Sequence, residues 1–304
     1  MAAAVTITLE ELIRLKAEAH GFRLSPKQPQ NSLLAGRYSS RLRGRGLDFA
    51  ELRGYRPGDD IRSIDWKATA RRGRTQIRVY EEERERPVYI AVDQRQGMFF
   101  GSRRAMKSVV AAEAAALTAW KVLAGGDRVG GWVFGDGGFQ FTPARRGQAS
   151  VLQFLHLVAQ ENQKLASSIQ TGSLKEFNRM LGEAEQKLTH DGLLILISDL
   201  AGVDDESSER LTRIARHNDV LIVPVYDPLG IQFHGIPGMW TDDGKQRRKV
   251  PIDAGFPKRL RNEFKNEVEY WQHLFRKLQI PLLPLSTSRP VVDQVREALG
   301  GSHG

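Results

Sequence analysis

The chain has no cysteine in its 304 residues. That absence excludes disulfides, thiolate metal sites and cysteine nucleophiles together. Long apolar runs are missing too. The longest, Gly192 to Ser198 and Val220 to Val225, are strand-sized, far short of the roughly 18–20 residues of a membrane span. The start, Met1 to Gly21, has no basic end followed by an apolar stretch, so no signal peptide is expected. The expectation is a soluble, cytoplasmic protein. Nucleotide-phosphate loops are absent: there is no Gly-x4-Gly-Lys-Ser/Thr and no Gly-x-Gly-x-x-Gly after a strand. There is no Gly-x-Ser-x-Gly elbow. The seven histidines are scattered, and none forms a ligand pair such as His-Glu-x-x-His. His20, His190 and His217 follow helical stretches, where a histidine complements the helix dipole.

What remains is ordinary for a globular protein. Hydrophobic residues make up 40% of the chain, mean hydropathy is −0.40, and the length allows one or two domains. The formal charge is +9. A basic balance suits an acidic partner, whether nucleic acid, anionic membrane surface or protein, and it also serves solubility. Arginine is concentrated between Arg37 and Arg104, interleaved with Asp and Glu. That interleaving reads as an ion-paired surface before it reads as a phosphate-binding stripe.

Periodicity sets the elements. Leu9, Leu12, Ile13 and Leu15 have helical spacing; Pro26 and Pro29 then break the chain. Residues Gln30 to Arg74 are rich in Gly and Arg with little periodicity, long for a structureless loop. Gln76 to Tyr80 alternates like a half-buried strand. Pro87 to Asp93 is a short apolar run ending in an acid, as in a buried strand. A helix is expected from Arg104 to Ala124, then a hairpin of strands Arg128–Phe134 and Phe139–Thr142 around Gly135–Gly138. Helices near Ala149–Gln163 and Leu174–Thr189 precede the strand Gly192–Asp199. A helix over Glu206–His217 and a strand over Val220–Tyr226 follow. A turn-rich stretch, Pro228 to Pro257, leads to a charged helix, Lys258–Leu278, a strand, Ile280–Leu285, and a short helix, Pro290–Leu299. Strands alternating with helices imply an α/β fold: a mostly parallel sheet with helices on both faces. The division expected is residues 1–74, an N-terminal helix and Arg/Gly-rich segment docked on the rest, and residues 75–304, the α/β domain with a C-terminal helical extension. Ligands on such sheets sit at the carboxyl ends of the strands, where Asp93 and Asp199 fall.

One block is distinctive: Gly36-Arg-Tyr-Ser-Ser40, then Gly44-x-Gly46-x-Asp48-Phe49-x-Glu51-x-Arg53-x-Tyr55-x-Pro57-Gly58-Asp59-Asp60-Ile61-Arg62-x-Ile64-Asp65-Trp66-Lys67-x-Thr69-Ala70-Arg71. Its charges suggest a network. Asp59, Asp60 and Asp65 lie among Arg53, Arg56, Arg62, Lys67 and Arg71, and such a set either clamps the segment onto the α/β domain or forms a partner-docking surface. Pro57-Gly58 is a turn pair. Trp66 is expected to anchor the segment by burial. The block resembles the signature of the domain-of-unknown-function 58 family, as do the acidic run Tyr80–Glu83, the strand ending in Asp93 and Gly126–Gly130. The resemblance runs through essentially the whole chain. It implies a von Willebrand factor type A-like domain, of the short type without the two membrane helices of longer members. It also implies association with MoxR-type AAA+ ATPases in systems that assist maturation, assembly or metal loading of other proteins.

Domains of that kind often hold Mg²⁺ with Asp-x-Ser-x-Ser after the first strand, a Thr from another loop and a later Asp, since hard oxygen ligands suit the ion. Here Asp93 and Asp199 match, but Arg95 and Gly97 stand where the serines belong, and no Thr match is clear around Gly147 to Ser150. A cation opposes metal binding, by about 4 kcal/mol for unit charges roughly 4 Å apart at an effective dielectric of about 20. An arginine can instead span two carboxylates with its fork of donors. Arg95 is therefore expected either to replace the ion or to point into solvent beside a vestigial site, and no cofactor is expected beyond a remnant affinity for Mg²⁺. The leading functional expectation is a non-catalytic adaptor between a MoxR-type ATPase and a client protein. Behind it stand a nucleic-acid binder, favoured by the charge, and a hydrolase using Asp93 and Asp199 as acid, base or metal ligands.

Overall fold

The computed structural model describes residues 4–19, 46–56, 59–83, 86–167, 175–229, 240–242, 247–249 and 256–299. The chain forms two compact units: residues 1–39 with 86–304, and residues 40–85.

The larger unit is built on a six-stranded sheet. Its strands are β3 (Pro87–Asp93), β4 (Arg128–Gly135), β5 (Gly138–Arg145), β6 (Leu193–Ser198), β7 (Asp219–Tyr226) and β10 (Leu285–Ser286). The order across the sheet is β10-β7-β6-β3-β4-β5. All neighbours are parallel except the β4–β5 hairpin at one edge. The connecting helices are α3 (Lys107–Ala124), α4 (Gln148–Lys164), α5 (Lys175–Lys187), α6 (Asp205–Ala215), α7 (Phe256–Lys277) and α8 (Val291–Ala298). A separate ladder pairs β8 (Trp240–Asp242) with β9 (Arg247–Lys249).

Strand alternation sorts the core into two layers. Val88, Ile90 and Val92 of β3, Ile195 and Ile197 of β6, and Val223 and Val225 of β7 face α3, α4 and α8. Ala91, Leu194, Leu196 and Ile222 face the opposite layer, with Phe177 and Leu181 of α5, Leu211 of α6, and Trp271 and Phe275 of α7. The pleat turns successive side chains to opposite faces, so apolar residues at nearly every position give a sheet buried on both sides. Close packing shapes β4: a Cβ on Gly131 would collide with the Ile90 carbonyl of the adjacent strand.

Helix α1 (Leu9–Glu18) starts at a capping box between Thr8 and Glu11. It belongs to the larger unit and not to a separate N-terminal part. Leu12 is fully buried in the core, its carbonyl accepts the Trp120 Nε1–H at 3.0 Å, and the Ile7 amide donates to Asn162 Oδ1 at 2.9 Å.

The smaller unit holds β1 (Gly46–Gly54) and β2 (Gln76–Glu83), an antiparallel pair with a register shift between Phe49 and Glu51. Between them lie a 3-10 turn, Ile61–Ser63, and α2 (Trp66–Arg72), closed by Gly73 in the left-handed conformation at φ 64°. Two expectations are corrected here. The strand beginning at Gln76 pairs with β1, not with the large sheet, so the division falls after residue 85 and not after 74. The stretch from 46 to 54, expected to be aperiodic, is a strand.

Candidate functional site

Strands β3 and β6 lie side by side and parallel, so their carboxyl ends bring Asp93, Ser198 and Asp199 together. Asp93 is fully buried and Arg95 is 4% exposed. The Arg95 side chain turns back onto Asp93. Its Nε donates to Oδ1 and Oδ2 at 3.0 and 3.1 Å, and its Nη2 to Oδ2 at 2.6 Å. The Arg95 backbone amide donates to Oδ1 at 3.0 Å and the Ser198 hydroxyl to Oδ2 at 2.6 Å. The guanidinium also donates to the Ala201 carbonyl at 3.1 Å, lies 3.8 Å from Asp199 Oδ1, and sits over the rings of Phe134 and Phe177.

Asp199 has its own cation. Lys107, the first residue of α3, donates to Asp199 Oδ2 at 2.6 Å, and the Ala201 amide donates to Oδ1 at 3.0 Å. Burial pushes the Asp199 carboxyl up, but Lys107, the Ala201 amide and Arg95 outweigh it and hold it below the usual range. For Asp93 burial dominates and raises the carboxyl against the pull of Arg95 and Ser198. Burial works against the charge of Arg95, yet Asp93, Asp199 and Asp136 hold that charge more firmly than usual.

The loop between β3 and α3 is tied down on both sides of this pair. The Gln96 amide donates to Asp136 Oδ2 at 2.6 Å. Ser102 donates through its amide (2.8 Å) and hydroxyl (2.5 Å) to Asp227, at the end of β7. Asp227 also accepts from the Thr287 hydroxyl at 2.5 Å and the Leu229 amide at 2.8 Å. Burial opposes the Asp227 charge, but these donors lower its carboxyl overall. Phe100, on the same loop, is 46% exposed, while its carbonyl accepts the Lys107 amide at 2.7 Å.

The structure places Asp93, Arg95 and Asp199 together. Gly97 is near: a Cβ there would lie 3.8 Å from Asp199 Oδ2, so a serine would fit sterically at this position. The stretch Gly147 to Ser150, where a Thr ligand is expected, lies at the opposite end of the sheet. The Ser150 hydroxyl donates to the Val129 carbonyl, at the start of β4, and the loop that does reach the site is the β4–β5 hairpin with Asp136. Lys107, Asp136, Ser198 and Asp227 were missed. Only Ser198 carried a signal, as the last strand residue before an acid. The donor set does not fit Mg²⁺. A guanidinium takes both Asp93 oxygens and an ammonium one oxygen of Asp199, where a hard cation would need them free. Arg95 does not point into solvent. Among the described residues, no group of three His, Asp or Glu side chains is arranged to hold a metal, and no helix is long and apolar enough to cross a membrane.

The signature residues lie in the smaller unit, and their acids serve the backbone. Asp59 accepts from the Arg56 amide at 2.6 Å and from Arg53 at 2.8 Å. Asp60 accepts from the Arg62 amide at 2.9 Å and caps the 3-10 turn. Asp65 accepts from the Ala68 amide at 2.9 Å, as the N-cap of α2. Of the expected ion-pair network, the Arg53–Asp59 pair is seen among the described residues. Trp66 is not buried: it is 71% exposed, and Tyr55 is exposed as well. Arg71 is exposed in the last turn of α2. Asp48 and Glu51 are placed on β1 by the backbone alone. Gly36–Ser40, Gly44 and Pro57–Gly58 lie outside the described residues.

A family model for the protein of unknown function DUF58 matches residues 51–273. Uncharacterized proteins of Mycobacterium tuberculosis (Rv1480) and Mycobacterium bovis (Mb1516) are each 27% identical over 282 residues, 91% of this chain and 86% of their own length. Among solved structures, the conserved hypothetical protein BatB from Bacteroides thetaiotaomicron matches at 15% identity and a TM-score of 0.41, covering 69% of this chain and 95% of its own. An aerotolerance-related membrane protein from Bacteroides fragilis matches at 13% and 0.41, covering 70% and 96%.

Proposed function

Since the chain belongs to the DUF58 family, we propose that it is a non-catalytic adaptor whose strand-end face binds a MoxR-type AAA+ ATPase and presents client proteins for assembly or maturation. Within the α/β class we assign it a von Willebrand factor A-like fold. The parallel sheet with one antiparallel edge hairpin supports that assignment, as do helices on both faces and acids at the ends of β3 and β6.

The observation that carries the adaptor reading is the state of the two acids. Asp93 is held by a forked guanidinium and Asp199 by an ammonium. A carboxylate so engaged is poorly placed to take a proton from a substrate or to hold a metal. The same contacts fix the loop that carries Phe100. A rigid loop presenting an exposed aromatic suits a binding anchor, because little conformational entropy is lost on docking. The ATPase as partner comes from the family resemblance.

The test is co-purification from native cells with nucleotide present, before and after nuclease. The reading expects a stoichiometric AAA+ ATPase that survives nuclease, has an altered ATP hydrolysis rate with this protein, and is recovered about tenfold less with Phe100→Glu. An ATPase rate indifferent to saturating protein, or turnover of a substrate by this protein alone, would contradict it.

A further inference from the structure

In the segment from Ile61 to Arg74, the structure separates charges that the sequence interleaves. Asp60, just before it, and Asp65 accept from the backbone amides of Arg62 and Ala68. The cations left behind, Arg62, Lys67, Arg71 and Arg74, are exposed. Each is without a carboxylate partner among the described residues. Two large apolar side chains share this stretch: Trp66, and Ile61 at 68% exposed.

Helix geometry groups them. At about 100° per residue, Trp66, Lys67, Ala70 and Arg71 fall on one side of α2. The other side carries Thr69, whose hydroxyl oxygen accepts the Gln76 amide at 2.9 Å. Ile61 and Arg62 lead into the helix on the capped turn, and Arg74 follows it beyond Gly73. An exposed Trp and Ile amid unpaired cations is a costly surface to leave in water and a standard composition for an interface: an apolar centre with a charged rim.

We propose that this surface docks an acidic face of a partner protein, with Trp66 and Ile61 seated in an apolar pocket and Arg62, Lys67, Arg71 and Arg74 meeting carboxylates around it. A protein fits better than a nucleic acid for two reasons. Ile61 has no π face on which a base could stack, and Trp and Arg together are the residues that carry most binding energy between proteins. The surface belongs to the smaller unit, so the inference is independent of the strand-end reading.

The experiment uses the full chain in its native cells, with the photo-crosslinker p-benzoylphenylalanine in place of Trp66. The crosslinked peptides are mapped by mass spectrometry whether or not an ATPase co-purifies. The expected product joins position 66 to one protein, at a segment rich in Asp and Glu. Its yield should fall at least about tenfold with Arg62→Glu and Arg71→Glu together. Among the described residues neither side chain has an ion pair to lose, so circular dichroism of the double variant should match the parent. A crosslink to nucleic acid, to this chain itself or to a segment without acidic excess would overturn the proposal, as would no crosslink or a yield indifferent to charge reversal.

Discussion

Aspartate and arginine are arranged in opposite ways in the two units. At the strand ends the arginine is buried and the carboxylate faces it: Arg95 and Asp93 satisfy each other out of water. Between β1 and β2 each of Asp59, Asp60 and Asp65 accepts from a backbone amide, Asp59 from Arg53 as well, and Arg56, Arg62, Arg71, Arg72 and Arg74 are exposed. Burial explains the difference. A buried charge must be paired, because its desolvation is otherwise uncompensated. An exposed acid at a helix or turn start gains more from an orphan N–H than from a flexible, hydrated cation. The same residue types thus pair out of water in one region and leave exposed positive charge in the other.

The sharpest way to break this contrast is to remove the buried cation. Arg95→Ala strands Asp93 in the core, and urea unfolding should show a loss of about 3–5 kcal/mol. Arg71→Ala in the other region should change stability by no more than about 0.5 kcal/mol. Equal effects would erase the distinction.

A second probe uses acid. The Asp199 carboxyl is lowered from its ordinary value of 3.8, so its contribution to stability is fully present above that pH. It is lost as pH falls through the lower folded value. Asp93, raised by burial, works in the opposite sense, so the difference between two proteins is the cleaner measurement. The stability gap between the parent and Asp199→Asn should be largest near neutrality and should close below about pH 4. A gap that does not change with pH would remove Asp199 from the charged pair.

The smallest effect sharpens the other side. Asp65→Ala removes the N-cap of α2 and should cost about 1 kcal/mol, visible as faster amide exchange at Ala68 and its neighbours. Exchange in β3 and β6 should be untouched.

Much of the larger unit was legible from the residues. The buried runs 87–93, 193–198 and 219–226 are strands β3, β6 and β7, because a strand covered on both faces needs apolar residues at nearly every position. That Asp93 and Asp199 end strands followed from the residues; that those strands are neighbours comes from the structure. What failed was non-local. Nothing in the Gly- and Arg-rich stretch around 46–54 announces a strand, since its hydrogen bonds are made with residues 76–83, distant in sequence. Trp66 was read as buried because its type usually is, whereas its position on the outer side of α2 depends on Thr69 facing Gln76. The last strand, expected from Ile280, is only Leu285–Ser286 in a ladder, with Leu282 contributing an isolated bridge to Ile222. Lys107 and Asp227 reach the site through tertiary contacts that no local pattern encodes.

At the strand ends Arg95 and Lys107 hold the carboxylate oxygens that a metal ion would need. Isothermal titration of the whole protein with Mg²⁺ and Mn²⁺ tests this most directly. The account expects no site of micromolar strength. Micromolar binding that disappears with Asp93→Ala would contradict it, because the guanidinium would then have to leave a carboxylate it now holds through both oxygens.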